Sequence, residues 1–270
     1  MPWTKLKNII LMILVLTNLC LLAFVLGQMF QTSRQEGQAR EEAISYLRDR
    51  GVQVDEGLIP KSVDLLPQVV ERDLAGEERG AAALLGGPVQ VEARGGEVYR
   101  CFNGSGSIQF HSDGSFSAQL EASAFPLGED RAAGALALLE RLGIQGELLE
   151  EEGEALTFRQ FWDGVPLFDQ QVTLICQGEG AAILSGRRLA GPPAVDTSRR
   201  TITIATGLIG FLNGVGDLGD VCNQVDGVEP GYSSAASLSG PMTLTPVWRV
   251  RTDTGAYQLD LVTGHVSRVS

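Results

Sequence analysis

The sequence predicts an α+β protein: a single N-terminal transmembrane helix followed by an extracytoplasmic domain of antiparallel sheets with helices packed on one face. Three observations predict it. Residues 9–30 run uncharged for 22 positions. Beyond them, short stretches rich in β-branched and aromatic residues alternate with Asn-Gly and Asp-Gly turn dipeptides. Between those stretches lie a few segments with apolar residues at helical spacing, each closed by glycine.

The apolar run comes first. At about 1.5 Å per residue, 22 residues make a helix of roughly 33 Å, enough for a hydrocarbon core of about 30 Å. A cleaved signal peptide has a shorter core and small residues at its exit, whereas this exit reads Leu26-Gly27-Gln28-Met29-Phe30. Leu19 precedes Cys20 where lipoprotein processing needs a small residue, so lipidation is not expected. Lys5 and Lys7 stand before the run and no cation follows it as far as Ser33. The positive-inside rule therefore predicts a cytoplasmic stub over residues 1–8 and the bulk of the chain outside the cell membrane. Trp3 falls where an interfacial aromatic belongs.

Within the run, Leu11, Leu14, Asn18, Leu22 and Val25 share one helical face. An amide in an apolar helix either bonds to a partner helix or folds back onto its own backbone, and both readings stand for Asn18. This face is the candidate partner-contact surface.

Residues 31–50 are polar, with Ala39, Ala43, Ile44 and Leu47 at helical spacing and Gly51 as the stop, which predicts a juxtamembrane helix. Residues 51–190 are expected to form a first α+β lobe. Extended segments are predicted over 52–54 and 63–70, interrupted by Pro60 and Pro67, then a helix over 75–85. Strands follow over 89–93, 98–102, 107–110 and 116–120, with turns at Asn103-Gly104 and Asp113-Gly114. A helix over 128–142, ended by Gly143, leads to strands over 148–151, 156–162, 168–176 and 182–189.

Gly191-Pro192-Pro193 marks the start of a second lobe, residues 191–270. There a helix is expected over 201–215 despite Gly207, Gly210 and Gly214, each costing about 1 kcal/mol against alanine. Strands over 243–251, 256–261 and 266–269 close the chain. The helix ends echo one another: Tyr46-Leu47 stands before Gly51-Val52-Gln53 as Leu138-Leu139 stands before Gly143-Ile144-Gln145, and Phe211-Leu212 before Gly216 is a fainter third copy.

Charge narrows the partners. The chain has a formal net charge of -12, and Lys5 and Lys7 give residues 1–30 a charge of +2, which leaves -14 for the rest. Such a domain repels nucleic acid and anionic lipid. Four cysteines, Cys20, Cys101, Cys176 and Cys222, lie far apart and form no metal or redox spacing. The two histidines, His111 and His265, each flank a turn, where structural roles suffice. Glu150-Glu151-Glu152 reads as a solvated run between strands, and the Gly207 to Gly216 string lacks the strand, loop and lysine order of a phosphate site. Asn103-Gly104-Ser105 fits a glycosylation sequon but serves equally as a turn. No catalytic residue, cofactor or metal is expected.

The opening Pro2-Trp3-Thr4-Lys5-Leu6-Lys7-Asn8, followed by an apolar helix containing Leu16-Thr17-Asn18-Leu19, is similar to the start of the YycI (WalI) family. Phe161-Trp162-Asp163-Gly164-Val165-Pro166-Leu167-Phe168 resembles the hairpin of PepSY-like units. Thr245-Pro246-Val247-Trp248-Arg249-Val250, with the strand from Tyr257 and the turn at Thr263-Gly264, resembles their closing hairpin. The resemblance implies a non-enzymatic regulator of a cell-wall two-component system. It would hold a sensor histidine kinase through transmembrane contacts, with a YycH-like membrane protein beside it. An alternative from the same hairpin is a PepSY-like inhibitory or propeptide-like module acting on an extracellular peptidase.

Overall fold

The computed structural model describes residues 3–189, 191–236 and 240–269, with the side chains of 3–6, 8–9 and 26–33 left aside. Met1 and Pro2 of the expected stub, and the side chains of Trp3, Lys5 and Gln28, thus lie outside the described residues. The chain is mixed α+β with one large sheet.

Helix α1 runs without a break over Trp3–Asp49. This corrects the expected division into a transmembrane helix over 9–30 and a separate juxtamembrane helix over 31–50. No proline follows Pro2 before Pro60, and the polar residues after Phe30 are mostly good helix formers, so nothing stops the first helix from running into the second. Among the described residues, moreover, no helix is long and apolar enough to cross a membrane. The single-transmembrane-helix expectation is corrected on that finding.

Strands β1 (Gln53–Val54) and β2 (Gln68–Val70) follow, then α2 (Leu74–Leu84), β3 (Gln90–Ala93), β4 (Tyr99–Asn103), β5 (Gly106–Phe110) and β6 (Ser115–Leu120). Next come α3 (Arg131–Arg141), β7 (Gln145–Glu152), β8 (Ala155–Trp162), β9 (Val165–Gln177) and β10 (Gly180–Arg187). The chain closes with β11 (Pro193–Val195), α4 (Ile204–Asp217), β12 (Gln224–Ala235), β13 (Met242–Thr252), β14 (Gly255–Asp260) and β15 (Val266–Arg268).

Among the described residues, the four α-helices end alike. Val52 N–H donates to Leu47 O (3.0 Å), Gly87 N–H to Ala82 O (3.0 Å), Ile144 N–H to Leu139 O (2.9 Å) and Asp220 N–H to Val215 O (3.1 Å). Each closing bond spans a glycine with positive φ: Gly51, Gly86, Gly143 and Gly219. In α4 the release comes at Gly219 rather than at Gly216, one turn beyond the expected copy.

Among the described residues, the strands form one 15-stranded sheet rather than separate sheets. Pairing is antiparallel apart from β1 with β12 and a single parallel pairing of Leu167 with Tyr232, where β9 meets β12. That contact belongs to a small cluster with Val70, Leu189, Met242 and Leu244, beside two larger cores. One packs α2 and α3 on β4–β10, around Ile108, Leu139, Leu156, Phe158 and Leu184. The other packs the end of α1 and α4 on β12–β15, around Ile44, Leu47, Phe211, Trp248 and Tyr257. Residues 43–59, which precede the second lobe in sequence, are thereby part of its core.

Strand β12 was not expected from sequence. It carries Gly227, Pro230 and Gly231, residues that disfavour a strand interior. The seam explains Gly231: a Cβ there would come within 2.4 Å of the Phe168 ring and 2.8 Å of Pro166 O. Across the same seam, the Asp169 carboxylate accepts from Ser234 N–H (2.8 Å) and Ser233 Oγ (3.1 Å), and Gln170 Nε2 donates to Ser234 Oγ (2.9 Å). The glutamate run lies inside β7 rather than in a turn. Among the described residues this strand pairs only with β8, and exposed Glu150, Glu151 and Glu152 discourage further strands from adding to its open edge.

Candidate partner-contact surface

Helix α1 divides into two chemically different halves. Its last turns are held to the body: Ala43, Ile44 and Leu47 are buried beside Leu208, Phe211 and Val215 of α4. Arg40 adds a clamp, its guanidinium donating to Glu56 O (2.6 Å), Ile59 O (2.9 Å) and Pro60 O (3.1 Å). Arg48 does the same one step on, to Val54 O (3.0 Å) and the Glu56 carboxylate (3.0 Å). Arg40 and Arg48 were invisible as anchors in the sequence, because most of their acceptors are backbone carbonyls that any residue type supplies.

The first half has no such cover. Over residues 10–25 the large apolar side chains are all about half exposed or more, from Met12 at 68 % to Val25 at 48 %. The five residues singled out from sequence lie here. At 100° per residue, Leu11, Leu14, Asn18, Leu22 and Val25 fall within an arc of about 80° on α1. The structure brings them onto one face and leaves that face bare.

Asn18 takes the local option for one of its groups. Its Nδ2 donates to Leu14 O at 2.9 Å, and Thr17 Oγ1 likewise bonds back to Ile13 O. Thr17 is thereby satisfied within the helix. Among the described residues, Asn18 Oδ1 and its second N–H have no partner, so the amide keeps one acceptor and one donor for a neighbour.

The other candidate chemistries do not gather. Among the described residues no group of three His, Cys, Asp or Glu side chains is placed to hold a metal ion. All four cysteines are free, and Cys101, Cys176 and Cys222 are buried. Burial pushes the Cys101 and Cys222 thiols up to about 11, with Glu78 and Asp253 respectively adding to the effect. Both are protonated and poor nucleophiles at neutral pH. His111 precedes the β5–β6 turn and His265 the last strand, so the two histidines sit in different lobes.

No protein-family model matches the chain, and no curated protein does. Among solved structures, one from Eubacterium rectale, described as an uncharacterized protein, aligns with a TM-score of 0.40 and 13 % identity. It covers 76 % of this chain and 86 % of its own. The Bacillus megaterium YpeB C-terminal domain aligns with a TM-score of 0.35 and 11 % identity, covering 74 % of this chain and 99 % of its own. At these scores neither likeness bears on function.

The apolar half of α1 therefore stands as the candidate site on its geometry alone. A bare apolar surface of this length favours association over exposure to water. What it can do is pack against another apolar helix, with Asn18 fixing register through its remaining amide groups.

Proposed function

We propose that this chain is a non-enzymatic regulator of a cell-envelope two-component system. Leu11, Leu14, Asn18, Leu22 and Val25 of α1 dock on an apolar helix of the sensor histidine kinase, and the α+β body, built of PepSY-like units, binds a YycH-like protein. The observation that carries this reading is the contrast within α1: its end is locked into a core while residues 10–25 present bare hydrocarbon and one half-satisfied amide. Docking would bias the kinase between two helix arrangements by contacting one better than the other.

The test places a photo-crosslinking amino acid at Leu14 or Leu22 in cells and, separately, exchanges residues 10–25 for an unrelated apolar helix. Adducts with the sensor kinase, and loss of regulation on the exchange, are expected. Adducts only with lipid or with a second copy of the chain, or kinase output unchanged by the exchange, would overturn the proposal.

A further inference from the structure

A groove of about 450 Å3 opens between α2, the end of α3 and the chain leaving β10. Three arginines line it, Arg79, Arg141 and Arg188, in a chain whose net charge is -12. Their pairing is uneven. Arg79 is engaged with Asp73 at 3.1 Å. Among the described residues, neither Arg141 nor Arg188 has a carboxylate within ion-pair distance.

Arg188 is the sharper case. Four arginines bury an Nε that has no acceptor among the described residues besides the one Gln170 Oε1 similarly left over: Arg131, Arg159, Arg188 and Arg249. Arg131 still reaches Gly153 O at 3.0 Å, Arg159 reaches Glu147 and Glu229 at 3.0 Å each, and Arg249 reaches Phe168 O at 3.3 Å. Arg188 has only Gly76 O, at 3.5 Å from both terminal nitrogens, the outer limit of a hydrogen bond. Nearby Glu77 does not serve it, because Arg72 holds both of that carboxylate's oxygens at 2.7 and 2.9 Å.

The fold makes room for this cation. A Cβ on Gly80 would stand 3.2–3.3 Å from the Arg188 guanidinium, so the glycine lets the side chain lie close along α2. Burial also holds the Arg188 pKa below the usual arginine range, the mark of a charge that its surroundings do not repay. Beside the arginines, Ala83, Leu142, Trp162 and Leu189 give the groove apolar wall, and the Trp162 Nε1 is already spent on Gln68 Oε1 at 3.0 Å. Glu140 is the groove's other acid and is exposed at its rim.

We propose that this groove binds an acidic peptide segment, with a carboxylate seated between Arg188 and Arg141 and a neighbouring apolar side chain against Ala83 and Trp162. A guanidinium fork suits a planar carboxylate, and the adjoining apolar wall favours a peptide over a bare inorganic anion.

Fluorescence anisotropy on the full chain tests this with the labelled hexapeptide Gly-Leu-Glu-Leu-Glu-Gly, its glutamine counterpart, and inorganic phosphate as competitor. The glutamate peptide is expected to bind about tenfold tighter than the glutamine one, and Arg188→Met to remove about tenfold of that affinity. Exposed Arg141→Gln, which leaves the core untouched, should weaken binding severalfold, and Arg94→Gln, just after β3, should not. Without peptide, Arg188→Met should melt no lower than the parent. Equal binding of the two peptides, no binding, full displacement by low phosphate, an unchanged affinity in Arg141→Gln, or a melting temperature lowered by Arg188→Met would each overturn the proposal.

Discussion

Gly231 of β12 lies against the ring of Phe168 in β9, so close that a single added carbon would come within 2.4 Å of it. The ring cannot simply retreat. The Arg249 guanidinium lies over it, 4.3 Å from the ring centre, and Phe168 is itself 7 % exposed. Pro166 O stands 2.8 Å from the same added carbon, and backbone yields less readily than a side chain. Gly231→Ala is therefore expected to destabilise the protein by about 1–3 kcal/mol. Chemical denaturation of the two proteins measures this.

The same seam shows where the sequence was legible and where it was not. Helix ends were readable because a glycine in the left-handed region has a local cause, so Gly51 and Gly143 announced themselves beside their apolar pairs. Strand β12 was hidden because Gly231 is required by a ring 63 positions away in sequence, and local preference argued against a strand. The joining of the first two helices was missed because the polar residues after Phe30 change the chemistry of α1 without changing its backbone. The apolar face of α1 was legible as a pattern. The surplus charge of Arg188 was not, since it depends on which carboxylates the fold brings near and which of those are already taken.

Asp220 sits at the hub of the last strand's attachment. Arg268 donates to both its oxygens, at 2.6 and 2.7 Å, and Tyr257 Oη donates at 2.9 Å. The Arg268 bond first, then that of Tyr257, hold its carboxyl below the usual carboxylate range. A depressed pKa contributes stability that is complete above the unfolded value of about 3.9 and is lost as pH falls through the folded value. Melting temperatures followed from pH 6 down to pH 2.5 should fall less steeply in Asp220→Asn than in the parent. Parallel curves would remove Asp220 from the acid transition.

Arg72 and Glu77 form the most buried ion pair among the described residues, with the glutamate side chain 6 % exposed. Removing the cation leaves a buried carboxylate without its two-oxygen partner. Arg72→Met is expected to cost about 3 kcal/mol, whereas the double change Arg72→Met with Glu77→Leu should recover much of the loss. A double-mutant cycle in urea measures both numbers.

Thiol chemistry should separate the four cysteines. Cys20 is exposed on α1, while Cys101 and Cys222 are buried with pKa values pushed up to about 11, and Cys176 is buried with Arg131 Nη2 against its sulfur at 3.3 Å. Alkylation at pH 8 is expected to modify one thiol per native chain and four after denaturation. Mass spectrometry of the digested product identifies the site, and rapid native labelling of Cys101 or Cys222 would contradict the burial.

Because α1 is one helix of 47 residues, about 70 Å of rod at 1.5 Å per residue, its two ends are mechanically a single part. Arg40 and Arg48 bolt the inner end to the loop beneath it, and Ile44 and Leu47 key it into α4. Whatever grips Leu14 and Leu22 therefore holds a lever whose fulcrum lies inside the second core. A turn or tilt imposed at the far end reaches Phe211 and Trp248 with no flexible joint of irregular backbone in between.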